Sequence, residues 1–328
     1  MKKRSAIVSG VTSFCVAMMT ILFLSQNPAS AANSAATSTA AGSNHSLILK
    51  GDGTIWAWGD NFYGQLGDGT KIQQNVPVQV KELSNITRIA AGNGYSIALK
   101  ADGTVWSWGS NGFGQLGDGT YNNKSIPVQT TGLTDVIEIA AGPEHVVALK
   151  KDGTVWIWGS FPGVSSTKPI KVQDIADIKE IAAGHGFNLA VKKDGTVWAW
   201  GNNSYGQLGL NHKNNPVLPP SKISNLSNIV SVTAGMTSSY ALDVDGKVYA
   251  WGSNVWGELG DGTSSEKLQP IQVPELIDIE EISSGFIARH CLARKKDGSV
   301  YVWGYNSFGQ LGNGTTTSSN KPIKITLP

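Results

Sequence analysis

The stretch AAGNGYSIALKADGTVWSWGSNGFGQLGDGT, residues 90 to 120, holds most of a structural unit. Tyr95 to Lys100 is a short apolar run, Asp102-Gly103 turns the chain, and Thr104 to Trp108 returns it, which is the pattern of a β-hairpin. Upstream, Ile86 to Ile89 alternates into Ala90-Ala91-Gly92. Downstream, a Gly-rich loop after Trp108-Gly109 leads to Ile126-Pro127-Val128-Gln129, where the proline marks an edge strand. Four short strands and no helical period make this a sheet unit.

The unit recurs. Trp-Gly stands at 58-59, 108-109, 158-159, 200-201, 251-252 and 303-304, at intervals of 50, 50, 42, 51 and 52 residues. Asp-Gly precedes each, at 52-53, 102-103, 152-153, 194-195, 245-246 and 297-298, always six residues from Asp to Trp, so one register serves every copy. Arrays of about 50 residues bury their faces only against neighbouring copies. The expected fold is therefore all-β, a β-propeller of six tandem repeats spanning residues 40–328. Trp56, Trp106, Trp156 and Trp198, with Tyr249 and Tyr301, lie two residues before the repeat Trp and share its face, which reads as packing between blades. The Ile-x-x-Ile strand before Ala-Ala-Gly is clear at Ile86, Val136, Ile178, Ile229 and Ile279, but its counterpart in the first copy is Ala36-Thr37-Ser38-Thr39. Either residues 32–39 supply a weak closing strand, the favoured reading, or the closing blade is incomplete with an open edge.

The ends and the charge set the compartment. Lys2-Lys3-Arg4, an apolar run from Ile7 to Leu24, and Ala29-Ser30-Ala31 read as a signal peptide over residues 1–31, with no membrane insertion after cleavage; the alternative reading of the same run is an uncleaved membrane anchor. Removing those three cations from the 26 basic residues leaves 23 against 24 acidic, which is no nucleic-acid footprint. Cys15 leaves with the leader, so Cys291 has no internal disulfide partner. It occupies a strand slot filled elsewhere by Ser46 and Ser96, as a buried inert thiol would.

The repeated unit quoted above resembles the regulator of chromosome condensation repeat, and the likeness covers essentially residues 40 to 328. The resemblance implies a propeller, usually of seven blades. Its members include a nuclear exchange factor, a plant ultraviolet photoreceptor and a secreted bacterial inhibitor of beta-lactamases, so fold alone does not fix function. The photoreceptor's Gly-Trp-Arg-His-Thr motif is absent here, and a signal peptide separates this chain from cytosolic GTPases.

Function then rests on positions that vary between copies. The residue before Gly-Gln-Leu-Gly is aromatic in five copies: Tyr63, Phe113, Tyr205, Trp256 (before Gly-Glu-Leu-Gly) and Phe308, with Phe62 doubling the first. These either close over their own loops or form an exposed ring of the residue type enriched in interfaces. Trp256 is the one tryptophan of eleven outside the paired strand slots. The third copy lacks this loop and runs Ser160-Phe161-Pro162-Gly163 towards Pro169, predicting a notch in the rim. His45, His145 and His290 share one slot with Tyr95 and Phe187, a structural pattern more than a metal site. Arg294 replaces the leucine of its strand slot and requires a partner.

No nucleophile motif, phosphate loop or metal-ligand spacing occurs, and Glu280-Glu281 should alternate across a strand. The expectation is a secreted or envelope-bound, non-enzymatic module without cofactor or metal, whose loop face binds another macromolecule. An extracellular or envelope protein comes first, a glycan or cell-wall polymer second, and a beta-lactamase-type enzyme third.

Overall fold

The computed structural model describes residues 35–326; the leader expected at 1–31, and residues 32–34 of the segment before the first repeat, lie outside them. Those residues form six four-stranded antiparallel sheets and no helix. Blade 1 runs over Ala36–Gln79, blade 2 over Ile86–Gln129, blade 3 over Val136–Lys171, blade 4 over Ile178–Lys222, blade 5 over Ile229–Gln272 and blade 6 over Ile279–Ile325. The expected six-blade, all-β propeller is the observed architecture. Within each blade the strands pair in chain order, and the fourth carries a proline on the sheet edge.

Blade 1 has all four strands. Its first, Ala36–Ala41, pairs with His45–Lys50 in the register that Ile86–Ala91 uses with Tyr95–Lys100, including a bulge after the first residue. Ala36 and Thr39 stand where blade 2 has Ile86 and Ile89, both buried against blade 1. The strand read as weak from its sequence is weak only in its side chains. Its backbone ladder is complete.

Consecutive blades join by the same parts. Leu47, Leu49, Ile55 and Leu66 of blade 1 pack on Ile86, Ile89 and Trp108 of blade 2, and four further clusters repeat this through blade 6. Each junction is also bolted by an indole. Trp108 Nε1 donates to Gln65 O at 2.8 Å, Trp158 to Gln115 O at 2.9 Å, Trp251 to Gln207 O at 2.8 Å and Trp303 to Glu258 O at 2.8 Å. Blade 3 has no such loop, and the Asn188 amide takes over, lying 3.2 Å from Trp200 Nε1 and 2.9 Å from His145 Nε2.

Between blade 6 and blade 1 these parts do not meet. No apolar cluster among the described residues spans the two sheets, and their strands lack the close packing found at the five other junctions. Trp58 is half-buried, whereas Trp108, Trp158, Trp200, Trp251 and Trp303 are at most 1% exposed. A Cβ placed on Gly67 would lie 2.8 Å from Trp108 Nε1, while one on Gly312, its equivalent in blade 6, would meet nothing within 4 Å. The six blades form an arc with one open seam.

The seam accounts for Arg294. Its equivalents Leu49, Leu99, Leu149, Val191 and Leu242 are buried, each within an apolar cluster that the next blade completes, but among the described residues blade 6 has no such neighbour. Arg294 lies directly across from Glu281 and donates to Glu281 Oε2 from Nε at 3.0 Å and Nη2 at 2.8 Å, and from Nη1 to Glu280 Oε1. This corrects the expectation that Glu280 and Glu281 point apart, because the bulge between Ile279 and Glu281 breaks the simple alternation.

Candidate functional site

Strands alternate in direction, so the turn between the first two strands and the loop between the last two emerge at one end of every blade. That end carries the variable residues. Each long loop is built around a fully buried asparagine that serves as its core. Asn61 Nδ2 donates to Asp68 Oδ1, Thr70 O and Ile72 O, while its Oδ1 accepts from Leu66 N at 3.0 Å. Asn111, Asn254 and Asn306 repeat the whole set, and Asn203 keeps the bond from Leu208 N. A second clamp comes from the Gln of Gly-Gln-Leu-Gly, whose side-chain oxygen accepts the backbone N–H of the preceding aromatic. It does so for Tyr63 at 2.9 Å, Phe113 at 3.0 Å, Tyr205 at 2.9 Å and Phe308 at 3.0 Å. In blade 5, Glu258 does this for Trp256 at 2.7 Å and accepts from Ser253 Oγ.

Both clamps hold the backbone and leave the rings outside. Phe62 is 70% exposed, Tyr63 38%, Phe113 46%, Tyr205 48%, Trp256 39% and Phe308 74%. Of the two readings open from sequence, the exposed ring describes their placement, at five blades of one face. They are unevenly spread. Trp256 meets Tyr305 of blade 6 at 4.8 Å between centroids, Tyr305 meets Phe308 at 6.1 Å, and Phe62 meets Tyr63 at 4.9 Å, so the densest aromatics flank the open seam. Blade 3 contributes none, because Phe161 turns inward, 5% exposed, and packs 5.0 Å from His145.

An open cleft of about 340 Å³ lies between blades 1 and 2, lined by Asn44, Asp60, Phe62, Tyr63, Gln65 and Asn93. Tyr63 lies across Gly94, where a Cβ would come within 2.9 Å of its ring. Asp60 accepts at both oxygens, from Phe62 N at Oδ1 and from Gln65 Nε2 at Oδ2. A ring face beside carboxamides and a carboxylate can hold an apolar edge and hydrogen-bond a polar one.

The histidine slot serves junctions between blades. His45 Nε2 lies 2.8 Å from Ser96 Oγ and His145 Nε2 lies 2.9 Å from Asn188, each a residue of the next blade. Burial lowers the pKa of both to about 4, so both rings are neutral. Cys291 is buried, which pushes its thiol up. On the innermost strands, burial raises Glu138 to about 8, with repulsion from Glu180 next and Arg88 opposing. Asp68-Gly69 and its copies have the composition of ordinary turns, so the asparagines at the centre of these loops are the residues that sequence reasoning misses. The signal was present, since Asn61, Asn111, Asn203, Asn254 and Asn306 stand two residues before each aromatic.

Sequence and fold comparisons agree with this geometry. The model of the regulator of chromosome condensation (RCC1) repeat matches residues 52–99, 102–149, 194–242, 245–293 and 297–328, skipping the repeat that lost its loop. The chain belongs to the RCC1 repeat family. A second model of the same repeat matches 36–65, 86–115, 178–207 and 279–310. The ultraviolet-B receptor UVR8 of Arabidopsis thaliana is 36% identical over 122 residues, covering 36% of this chain and 27% of the receptor. The human E3 ubiquitin-protein ligase HERC2 is 37% identical over 120 residues, covering 36% of this chain and 2% of the ligase. The chain thus spans about a quarter or less of these relatives. Yeast RCC1 (Prp20), solved bound to Kap60, superposes with a TM-score of 0.80 at 22% identity, over 88% of this chain and 74% of that one. Human WBSCR16 superposes with a TM-score of 0.79 at 24% identity, over 90% and 84%. At these identities the likeness is one of fold.

Proposed function

We propose that this RCC1-type propeller is a non-enzymatic interaction module, exported by its N-terminal leader, whose aromatic loop face binds another protein at the cell envelope or outside it. The observation carrying the reading is the double clamp. Five loops hold an exposed aromatic on a preformed backbone, and rigid aromatics on a shared face give contact area at low ordering cost. Related propellers support the class of partner, since one solved structure shows yeast RCC1 bound to Kap60 and a second is of Saccharomyces cerevisiae Prp20p, with binding properties to Gsp1p and histones. An enzyme-inhibitor role of the beta-lactamase-inhibitor type is one form this module could take, reached by analogy alone.

The test is capture from extracellular medium and envelope fractions by the wild-type chain and by Trp256→Ala. Loss of a specific protein with Trp256→Ala is the expected result; unchanged capture overturns the assignment of the face. Glycan binding is the second reading, favoured by the cleft that sets Phe62 and Tyr63 beside Asn44 and Asn93. Retention on peptidoglycan or polysaccharide columns, with no protein captured, would establish it in place of the first.

A further inference from the structure

Asp60 carries a charge that its loop does not need. The residue after Trp-Gly is Asp60 in blade 1, but Ser110, Ser160, Asn202, Ser253 and Tyr305 in the other five. Asp60 makes two bonds, accepting from Gln65 Nε2 at 2.9 Å and from Phe62 N at 3.1 Å. Each is made elsewhere by a neutral side chain. Ser110 Oγ accepts from Gln115 Nε2 at 3.3 Å in blade 2, and Asn202 Oδ1 accepts from Ser204 N at 3.0 Å in blade 4.

That charge is also left without a counter-charge. Asp60 joins none of the ion pairs among the described residues. The titratable side chain that feels it, His45, is kept neutral by burial, which lowers its pKa to about 4. Half-buried Asp60 lines the open cleft between blades 1 and 2 with Asn44, Phe62, Tyr63, Gln65 and Asn93, and no basic residue stands among them. Each carboxylate oxygen has lone pairs beyond the one already used.

The rest of the lining has the same preference. Phe62 and Tyr63 stand edge to face, 4.9 Å between centroids, and Gly94 of blade 2 leaves the space that the Tyr63 ring occupies. Aromatic faces carry the negative side of the ring quadrupole and attract cations. Exposed Asn44 and Asn93 add carbonyl oxygens at the rim. A carboxylate, ring faces and amide oxygens together suit a flat cation with several donors in one plane, which is a guanidinium. A neutral sugar would leave the carboxylate's charge uncompensated.

We infer that the cleft between blades 1 and 2 receives an arginine side chain of the bound protein, with Asp60 as its counter-charge and the Phe62–Tyr63 wall as its stacking surface. The inference rests on the reading of the loop face as a protein-binding surface, and it names the chemistry that the partner presents there. A charge pair of this kind selects among partners and slows dissociation.

The probe is the peptide acetyl-Gly-Arg-Gly-amide, set against the same peptide with citrulline, which keeps the shape and loses the charge. Titrated into the purified chain and followed through the backbone amide signals of Asn93 and Gly94, the arginine peptide should bind with a Kd of about 1 mM. The citrulline peptide should bind about 10-fold more weakly. Asp60→Ser and Asp60→Asn, the residues that blades 2 and 4 use, should each bring the arginine peptide to the citrulline level; unchanged melting curves confirm that they fold. The comparison of the two peptides on the wild type needs no variant. Equal binding of the two, a preference that survives both Asp60 variants, or no binding of the arginine peptide overturns the inference. Shifts of the same signals with N-acetylglucosamine but not with the arginine peptide overturn it in favour of a glycan. Protein capture that is lost with Trp256→Ala but indifferent to Asp60→Ser would keep the protein-binding face and remove the arginine. Arginine-selective binding beside capture that ignores Trp256→Ala would keep the arginine site and remove the assignment of the face.

Discussion

Trp108 and Trp58 occupy the same position of the same repeat and live in different environments. Trp108 is fully buried, bolted to Gln65 O and packed on blade 1; Trp58 is half-buried, with no hydrogen-bond partner for its indole among the described residues. The difference lies entirely in the neighbour. A repeat's sequence specifies a surface, and only the adjoining copy makes that surface a core.

The contrast gives the largest expected effect. Trp108→Ala should destabilise the chain by about 3–5 kcal/mol, the cost of truncating a buried aromatic, and Trp58→Ala by about 1 kcal/mol or less. Denaturant unfolding with matched slopes measures both. Equal losses would mean that the seam is packed in solution, and the open arc would be wrong.

Acid should act on closed junctions next. His45 and His145 have folded pKa values of about 4, below the usual 6.5, because burial disfavours the charged ring. A depressed folded pKa means that stability is full above about 6.5 and is lost as pH falls towards about 4, by up to about 3 kcal/mol per histidine. His290 fills the same slot on the seam face, where no further blade among the described residues closes over it. His45→Gln should therefore flatten the acid limb of a stability profile, and His290→Gln should change it less. An equal response to the two substitutions would contradict the assignment of His290 to an open face.

What was legible in the sequence follows the same division. The spacing from Asp52 to Trp58, repeated five times more, fixes hairpin register and strand order because both are local to one copy. The proline in each fourth strand marks the outer edge for the same reason. The exposed aromatics were legible as a set of positions but not as exposed, since a loop sequence does not show which way a ring turns. Phe161, in the shortened third copy, points inward because the missing loop leaves room beside Trp200. Arg294 and the open seam were illegible in principle: a charge among leucines makes sense only once the absent neighbour is known. The asparagine cores stand at fixed spacing, but Asn beside Asp and Gly is also the composition of a turn, so their role shows only in the folded loop.

The smallest effect concerns two glutamates at one strand position. Glu281, at the seam, takes two hydrogen bonds from Arg294. Glu138, within the closed part of the arc, is buried beside Glu180 with Arg88 only partly offsetting, and its pKa rises from 4.5 to about 8. A raised folded pKa means that this carboxyl costs nothing below about 4.5, where both states are protonated. Stability is then lost progressively as pH rises towards about 8, because unfolding lets the group ionise. Glu138→Gln removes that loss while keeping the shape, so the variant should match the wild type near pH 4 and exceed it near pH 8 by on the order of 2 kcal/mol. Glu281→Gln should do the reverse, weakening the chain at neutral pH by leaving Arg294 with a poorer partner. If Glu138→Gln is no more stable than the wild type at pH 8, then Glu138 is ionised in the folded chain and Arg88 is the stronger neighbour.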